Sequence, residues 1–517
     1  MKKDSAQLDH SLKLLVKTSV IVFIGIFLSK LLSYVYRIII ARYYGPEVYG
    51  LFSLTTMILA MILTFSLLGF SAGISRFIPQ YRGKKESDKI SYLFWFVNKI
   101  LFVTSITFAV LLFFLADFIA VNIFHNLELV FLLKILSFFV PFAVFSVTFL
   151  ESIRSYELIS SYSFIYNILQ NIVRVTALII LVMLGFQSSA AVVSYCLGFL
   201  AVLITSYGVC KYKIPELFVK SRLSDKEKII VRKNLFSYSV PLLFFGIVSM
   251  LFYWIDSFFL GYYRGVESVG FYNAAVPIAM LLSVTPELFM QLFFPMINRH
   301  YSNKDLGLIN QISKQLGKWV FMVNFPVFIL IFAFPGAVIH ILFGDQYILA
   351  QDALRILILG SFASSIGIIS NNILSMAGKS KLILADIIIA TIVNVILNVI
   401  LIPLPSIFGI VNSSGITGAA VATTLSMIFL NILFLIQAKK YLAIMPLRMK
   451  MVNIILSSII PLIILFYLRS IMGINIYSII LISGIFILTY ILFIILWKGF
   501  DKNDIMILDS IKNKLFH

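Results

Sequence analysis

Ionisable and amide side chains stand at helical spacing inside runs that are otherwise apolar. Lys30 and Arg37 lie seven residues apart, hence on one helical face, with Ser33 and Tyr34 between them. Asn167, Gln170, Asn171 and Arg174 repeat the same stripe at i, i+3, i+4 and i+7. Asp386, Asn394 and Asn398 share a third run. Asp256, Lys134, Arg355, and Glu287 with Gln291 one turn on, occupy others. A charge at mid-span costs on the order of 2.5–3.5 kcal/mol on insertion scales, so such residues normally face a bundle interior or a wet cavity. Lysine and arginine there suit a phosphate, arginine bidentately. Asn, Gln and Tyr suit sugar hydroxyls, and the carboxylates Asp256, Glu287 and Asp386 suit coupling to H+ or Na+. Plainer roles compete. Lys134 and Arg355 can snorkel to a boundary, Asn394 and Asn398 can bond helix to helix, and Pro277 and Pro286 beside Glu287 can be simple kinks.

The elements that must position these residues are membrane spans. With 61% hydrophobic and 12% charged residues and a mean hydropathy of +1.03, the chain cannot be a soluble globule. About fourteen runs between residues 15 and 497 reach the roughly 20 residues that span a bilayer. With the N-terminus inside, the connections on that side hold nearly all the Lys and Arg. Only Arg42, Arg264 and Arg469 fall on the other side. This predicts a multi-pass protein of the cytoplasmic membrane with both termini cytoplasmic. The net charge of +19 is spread over many connections rather than gathered on a domain, which argues for anionic membrane lipids and against nucleic acid.

Catalytic and cofactor chemistry find no footing. AGKS at Ala377–Ser380 lacks the glycine a phosphate-binding loop requires. His10, His125, His300, His340 and His517 lie away from any midplane, and no metal-ligand pair or nucleophile–base set is visible. Cys196 and Cys210 share one span and read as packing residues. No cleavable leader is evident. The expectation is no enzyme, no cofactor and no metal.

The chain also repeats itself. ARYYGPEVYGLF (Ala41–Phe52) recurs as GYYRGVESVGFY (Gly261–Tyr272) with one inserted residue. The offset of about 220 residues, or six spans, predicts an all-α polytopic membrane protein of two parallel six-helix bundles plus two C-terminal helices. The bounds are 1–210, a basic linker at 211–233 carrying an amphipathic surface helix, 234–440, and 441–517 with a tail lying on the inner leaflet. At an offset of 219, Arg37 superposes on Asp256, which predicts that these opposite charges face each other across the central cleft near its outer end and pair when that end closes.

The segment RIIIARYYGPEVYGLFSL (Arg37–Leu54), followed by a basic loop, resembles the start of Wzx-type polysaccharide transporters. That family groups with multidrug exporters and the lipid II flippase. The resemblance covers the span count, the six-plus-six repeat and the two extra helices. Its GPxxYG turn carries no chemistry: Gly45 and Pro46 make the turn and Gly50 permits close packing. The resemblance implies a flippase that moves a polyprenyl-(di)phosphate-linked oligosaccharide from the inner to the outer leaflet by alternating access, beside glycosyltransferase or polymerase partners. It implies phosphate contacts at Lys30, Arg37 and Arg174, with Asn167, Gln170, Asn171, Asn394 and Asn398 as polar lining. The alternatives are an ion-coupled multidrug exporter, a lipid II-type precursor flippase and, least favoured, a membrane-embedded glycan-modifying enzyme.

Overall fold

The computed structural model describes the backbone of residues 2–303, 305–472, 475–497 and 499. The protein is helical almost throughout. Among the described residues the one sheet is a two-residue antiparallel pair that registers Ser406 on Val411 and Ile407 on Ile410. Among the described residues, thirteen helical runs are long and apolar enough to cross a membrane. The difference from fourteen has a physical cause. Gly25–Leu67 counts as one 43-residue run, which would extend about 65 Å as a single helix, twice the hydrocarbon thickness. It breaks at Gly45, whose φ of 84° and ψ of −177° only glycine adopts readily. Gly265 repeats that geometry (φ 87°, ψ 176°) between Asp225–Arg264 and Val266–Met280. The duplicated motif is thus duplicated in backbone conformation.

The linker differs from expectation. Helix Ser189–Lys213 ends in a 3-10 turn, Pro215–Phe218. The next helix starts at a capping box of Ser224 and Glu227 and runs unbroken to Arg264. No separate surface helix forms, because the cap starts the span itself and Pro241 does not interrupt it. The tail expected on the inner leaflet lies, beyond residue 499, outside the described residues.

The chain packs as two compact units, 1–274 with 387–419 and 275–386 with 420–517. In the first, the twin turns lock into one another. A Cβ on Gly50 would stand 2.0 Å from the Val266 carbonyl oxygen, and one on Gly270 would stand 2.0 Å from that of Pro46. Each glycine therefore admits the backbone of the other copy. At the far end of helix Ser380–Leu401, Asn412 donates to the carbonyls of Leu401, Ile402 and Leu404, and Arg264 to those of Ile402 and Pro403. These bonds brace the carbonyls of the last helical residue and of the turn that follows it.

In the second unit, a 3-10 turn at Leu281–Ser283 follows Val266–Met280, and Val284–Ser302 resumes the helix. The buried Asn324 donates to the Leu282 carbonyl at 2.7 Å, so the break leaves no orphan there. Helices Lys450–Ile471 and Ile476–Leu496 pack through Met451, Ile454, Leu465, Phe486 and Tyr490 onto Phe321, Phe325 and Phe334.

Candidate functional site

The polar interior of the first unit gathers most of the residues singled out by spacing. Arg37 donates through one terminal nitrogen to the Tyr49 hydroxyl at 3.2 Å. Tyr49, fully buried, passes its own proton to the Asn273 carbonyl at 3.1 Å. The phenols of Tyr195 and Tyr253 also lie within electrostatic reach of Arg37. The Arg174 guanidinium carbon lies over the Tyr195 ring, 3.8 Å from its centroid, with that of Phe199 at 5.0 Å. Gly198 makes that seat: a Cβ there would meet Arg174 Cγ and Nε at 2.7 Å. Guanidinium groups from two different helices thus each rest on a tyrosine, Arg37 on the Tyr49 hydroxyl and Arg174 on the Tyr195 ring. A desolvated cation–π contact contributes about 2 kcal/mol, enough to offset much of the cost of an arginine in a span.

The stripe below Arg174 packs on the first helix. Asn171 donates to Ser29 Oγ at 3.1 Å and Asn167 to Ser163 Oγ at 3.1 Å; Gln170 is buried beside them. Asn167 sits in a π-helical stretch, Phe164–Leu169, an irregularity that frequently marks functional positions. Lys30 follows Ser29 and is exposed.

A second cluster surrounds Asp256, which is buried. It accepts from the Tyr272 hydroxyl at 3.0 Å and from Asn398 Nδ2 at 2.7 Å. Asn398 also contacts Asn394 Oδ1 one turn earlier. Asn398 Oδ1 and Asn394 Nδ2 are buried without a hydrogen-bond partner. Such orphaned amide atoms are costly in an apolar interior and mark a site suited to a small polar guest.

In this structure Arg37 and Asp256 have separate partners; the expected pairing belongs to the state with the outer end closed. Each takes a tyrosine of its own copy, Tyr49 and Tyr272. Asp386 and Glu287 belong to the second unit. Asp386 accepts from Gln437 Nε2 at 2.6 Å, and its other oxygen is buried without a partner; Glu287 follows the 3-10 break and is half-buried. Lys134 pairs with Asp117 at 2.8 Å and Arg355 with Asp352 at 3.2 Å, which gives both cations local partners. Tyr49, Tyr195, Tyr272 and Ser29 were invisible to spacing arguments as partners, since each comes from a different span. The tyrosines' density around the first repeat was the available signal. Cys196 and Cys210 are buried and free.

Fold and interior together define a multi-pass membrane transporter of the superfamily that includes multidrug exporters and lipid-linked glycan flippases. Residues 15–301 match the family described as polysaccharide biosynthesis protein, more than half of the chain, and the protein belongs to that family. Residues 241–400 also match the MatE family. An uncharacterized membrane protein of Methanocaldococcus jannaschii is 25% identical over 86% of this chain and 87% of its own length. A Haloferax volcanii protein described as a probable low-salt glycan biosynthesis flippase is 25% identical over 50% of this chain, which spans 51% of that relative. Among solved structures, the lipid II flippase MurJ in an inward closed conformation shares the fold with a TM-score of 0.71. It is 17% identical, over 93% of this chain and 99% of that one.

Proposed function

We propose that the protein flips a polyprenyl-(di)phosphate-linked oligosaccharide between leaflets by alternating access. On this reading both termini are cytoplasmic, transport runs outward, and the duplicated bundles of 1–210 and 234–440 are the moving parts. The observation that carries the proposal is a pair of guanidinium groups inside a span-built unit, Arg37 held on the Tyr49 hydroxyl and Arg174 on the Tyr195 ring. Two fixed cations suit a phosphate that cannot cross hydrocarbon unaided, and the surrounding phenols and amides suit sugar hydroxyls. The lipid tail stays in the bilayer. The reading is of a carrier rather than an enzyme, since the interior offers binding groups without a nucleophile and base in register.

Asp256, with the orphaned amide atoms of Asn394 and Asn398, is the first coupling candidate, for H+ or Na+. Asp386 and Glu287 follow. Translocation of a polyprenyl-diphosphate oligosaccharide in proteoliposomes is the test. Arg37→Gln and Arg174→Gln should each slow flipping by about tenfold or more, the worth of one charge-assisted bond. Unchanged rates in both folded variants would remove the phosphate assignment. The MatE match keeps multidrug export as a second reading. Efflux of cationic drugs by the wild type, with no glycolipid flipping, would establish it instead.

A further inference from the structure

Helix Ser87–Asp117 carries a set of cations that the interior site does not use. Its exposed face presents Trp95, Phe102 and Val103, each more than half exposed, with Lys99 one turn past Trp95. A groove of about 970 Å³ follows this face and takes Arg232 from the helix beginning at Asp225. An adjoining recess of about 400 Å³ shares Tyr92 and Trp95 with it and adds Phe218 and Lys220 from the preceding connection. Both lie at the end of the helix where Arg82, Lys84, Lys85 and Lys89 cluster.

Arg232 is held in place before any ligand arrives. Its Nε donates to the Tyr92 hydroxyl, and its guanidinium carbon lies 4.9 Å from the Phe96 centroid and 5.7 Å from that of Tyr92. Among the described contacts, hydrogen bonding engages Nε alone, so both terminal nitrogens remain to donate bidentately to one anion. Lys99 adds a second charge. Helical Cβ atoms tilt toward the helix N-terminus, which carries its ammonium back toward the level of Arg232. An exposed lysine a dozen residues into an apolar span costs on the order of 2.5–3.5 kcal/mol unless an anion meets it. No carboxylate lines either recess among the described residues.

The occupant that fits is anionic at one end and apolar along two helical turns. A free anion would use the arginine and leave the aromatic wall empty; an uncharged lipid would do the reverse. We propose that this groove binds one anionic phospholipid, with its phosphate on Arg232, Lys99 and Lys220 and one acyl chain along Phe102 and Val103. The site stands apart from the cargo site and holds whatever the cargo is.

Native mass spectrometry of the full chain in detergent tests it, with phosphatidylglycerol and phosphatidylcholine of identical chains as probes. The wild type should retain one phosphatidylglycerol in preference to phosphatidylcholine. K99Q/R232Q should lower that retention about tenfold, the loss of a charge-assisted bond. Arg232→Lys should give an intermediate loss, because charge survives without the fork. Trp95→Ala removes the apolar wall at an exposed position, so it folds even if the double variant does not, and it too should lose lipid. Equal retention by wild type and folded variants overturns the proposal. Phosphatidylcholine held as firmly as phosphatidylglycerol does the same, as does displacement of the lipid by inorganic phosphate alone.

Discussion

The two copies of the repeated turn share a backbone and differ in charge. Both break a long helix at a glycine in the same unusual conformation, Gly45 and Gly265, and both insert a second glycine, Gly50 and Gly270, against the other copy's carbonyl. Before the break, the first copy carries Arg37 and the second Asp256. Each charge bonds to a tyrosine beyond its own break, yet the settings are unequal. Arg37 is half-buried and uses one nitrogen on Tyr49, whereas Asp256 is buried and uses both oxygens, on Tyr272 and Asn398. Duplication preserved the geometry of the break and let the charge diverge, to a cation in the first copy and a carboxylate in the second.

The shared part of that comparison should be the hardest to perturb. Gly50→Val and Gly270→Val each drive a side chain into a carbonyl 2.0 Å away, so both should destabilise by about 3 kcal/mol or more. Equal losses in thermal unfolding of the solubilised protein support the reciprocal packing. A large loss in one and none in the other would break the symmetry argument.

The divergent part comes next. Asp256→Ala removes an acceptor from both Tyr272 and Asn398 in a buried setting and should cost about 2 kcal/mol. Arg37→Ala, which frees only a phenol, should cost less. Chemical unfolding of the two variants decides between them, and similar costs would mean that the two charges sit in equivalent settings after all. Gly45→Ala and Gly265→Ala then probe the breaks, each expected to lose about 1.5 kcal/mol because an alanine is strained at that φ and ψ. A neutral outcome at either position would show that the turn relaxes without glycine. Tyr49→Phe should be the mildest, about 1 kcal/mol for the hydrogen bonds from Arg37 and to the Asn273 carbonyl together. Its sharper readout is flipping rate, which should fall as Arg37 loses its anchor; an unaltered rate would detach Tyr49 from the site.

Hydropathy and the repeat made the architecture legible, because a bilayer admits only backbone that bonds to itself and so forces twenty-residue apolar helices whatever their neighbours. The same constraint exposed Arg37, Arg174, Asp256 and Asn398, since a polar group in a span stands out against its solvent. Spacing along one helix could show which residues share a face. It could not show what that face meets: Ser29 opposite Asn171, Tyr195 under Arg174, and Tyr272 on Asp256 in place of Arg37. The linker misled for a related reason, as periodicity does not reveal where one helix ends when a capping box starts the next before the membrane does.

By itself the sequence determined that this is a duplicated helical membrane protein with buried charge. Only tertiary structure decided which charges have partners and which glycines carry another backbone. Burial energy depends on a residue's own type and its period in the chain. Hydrogen bonds, cation–π contacts and glycine clearances depend on two segments arriving within a few ångströms from places about 12 to 220 residues apart, and nothing local records that distance.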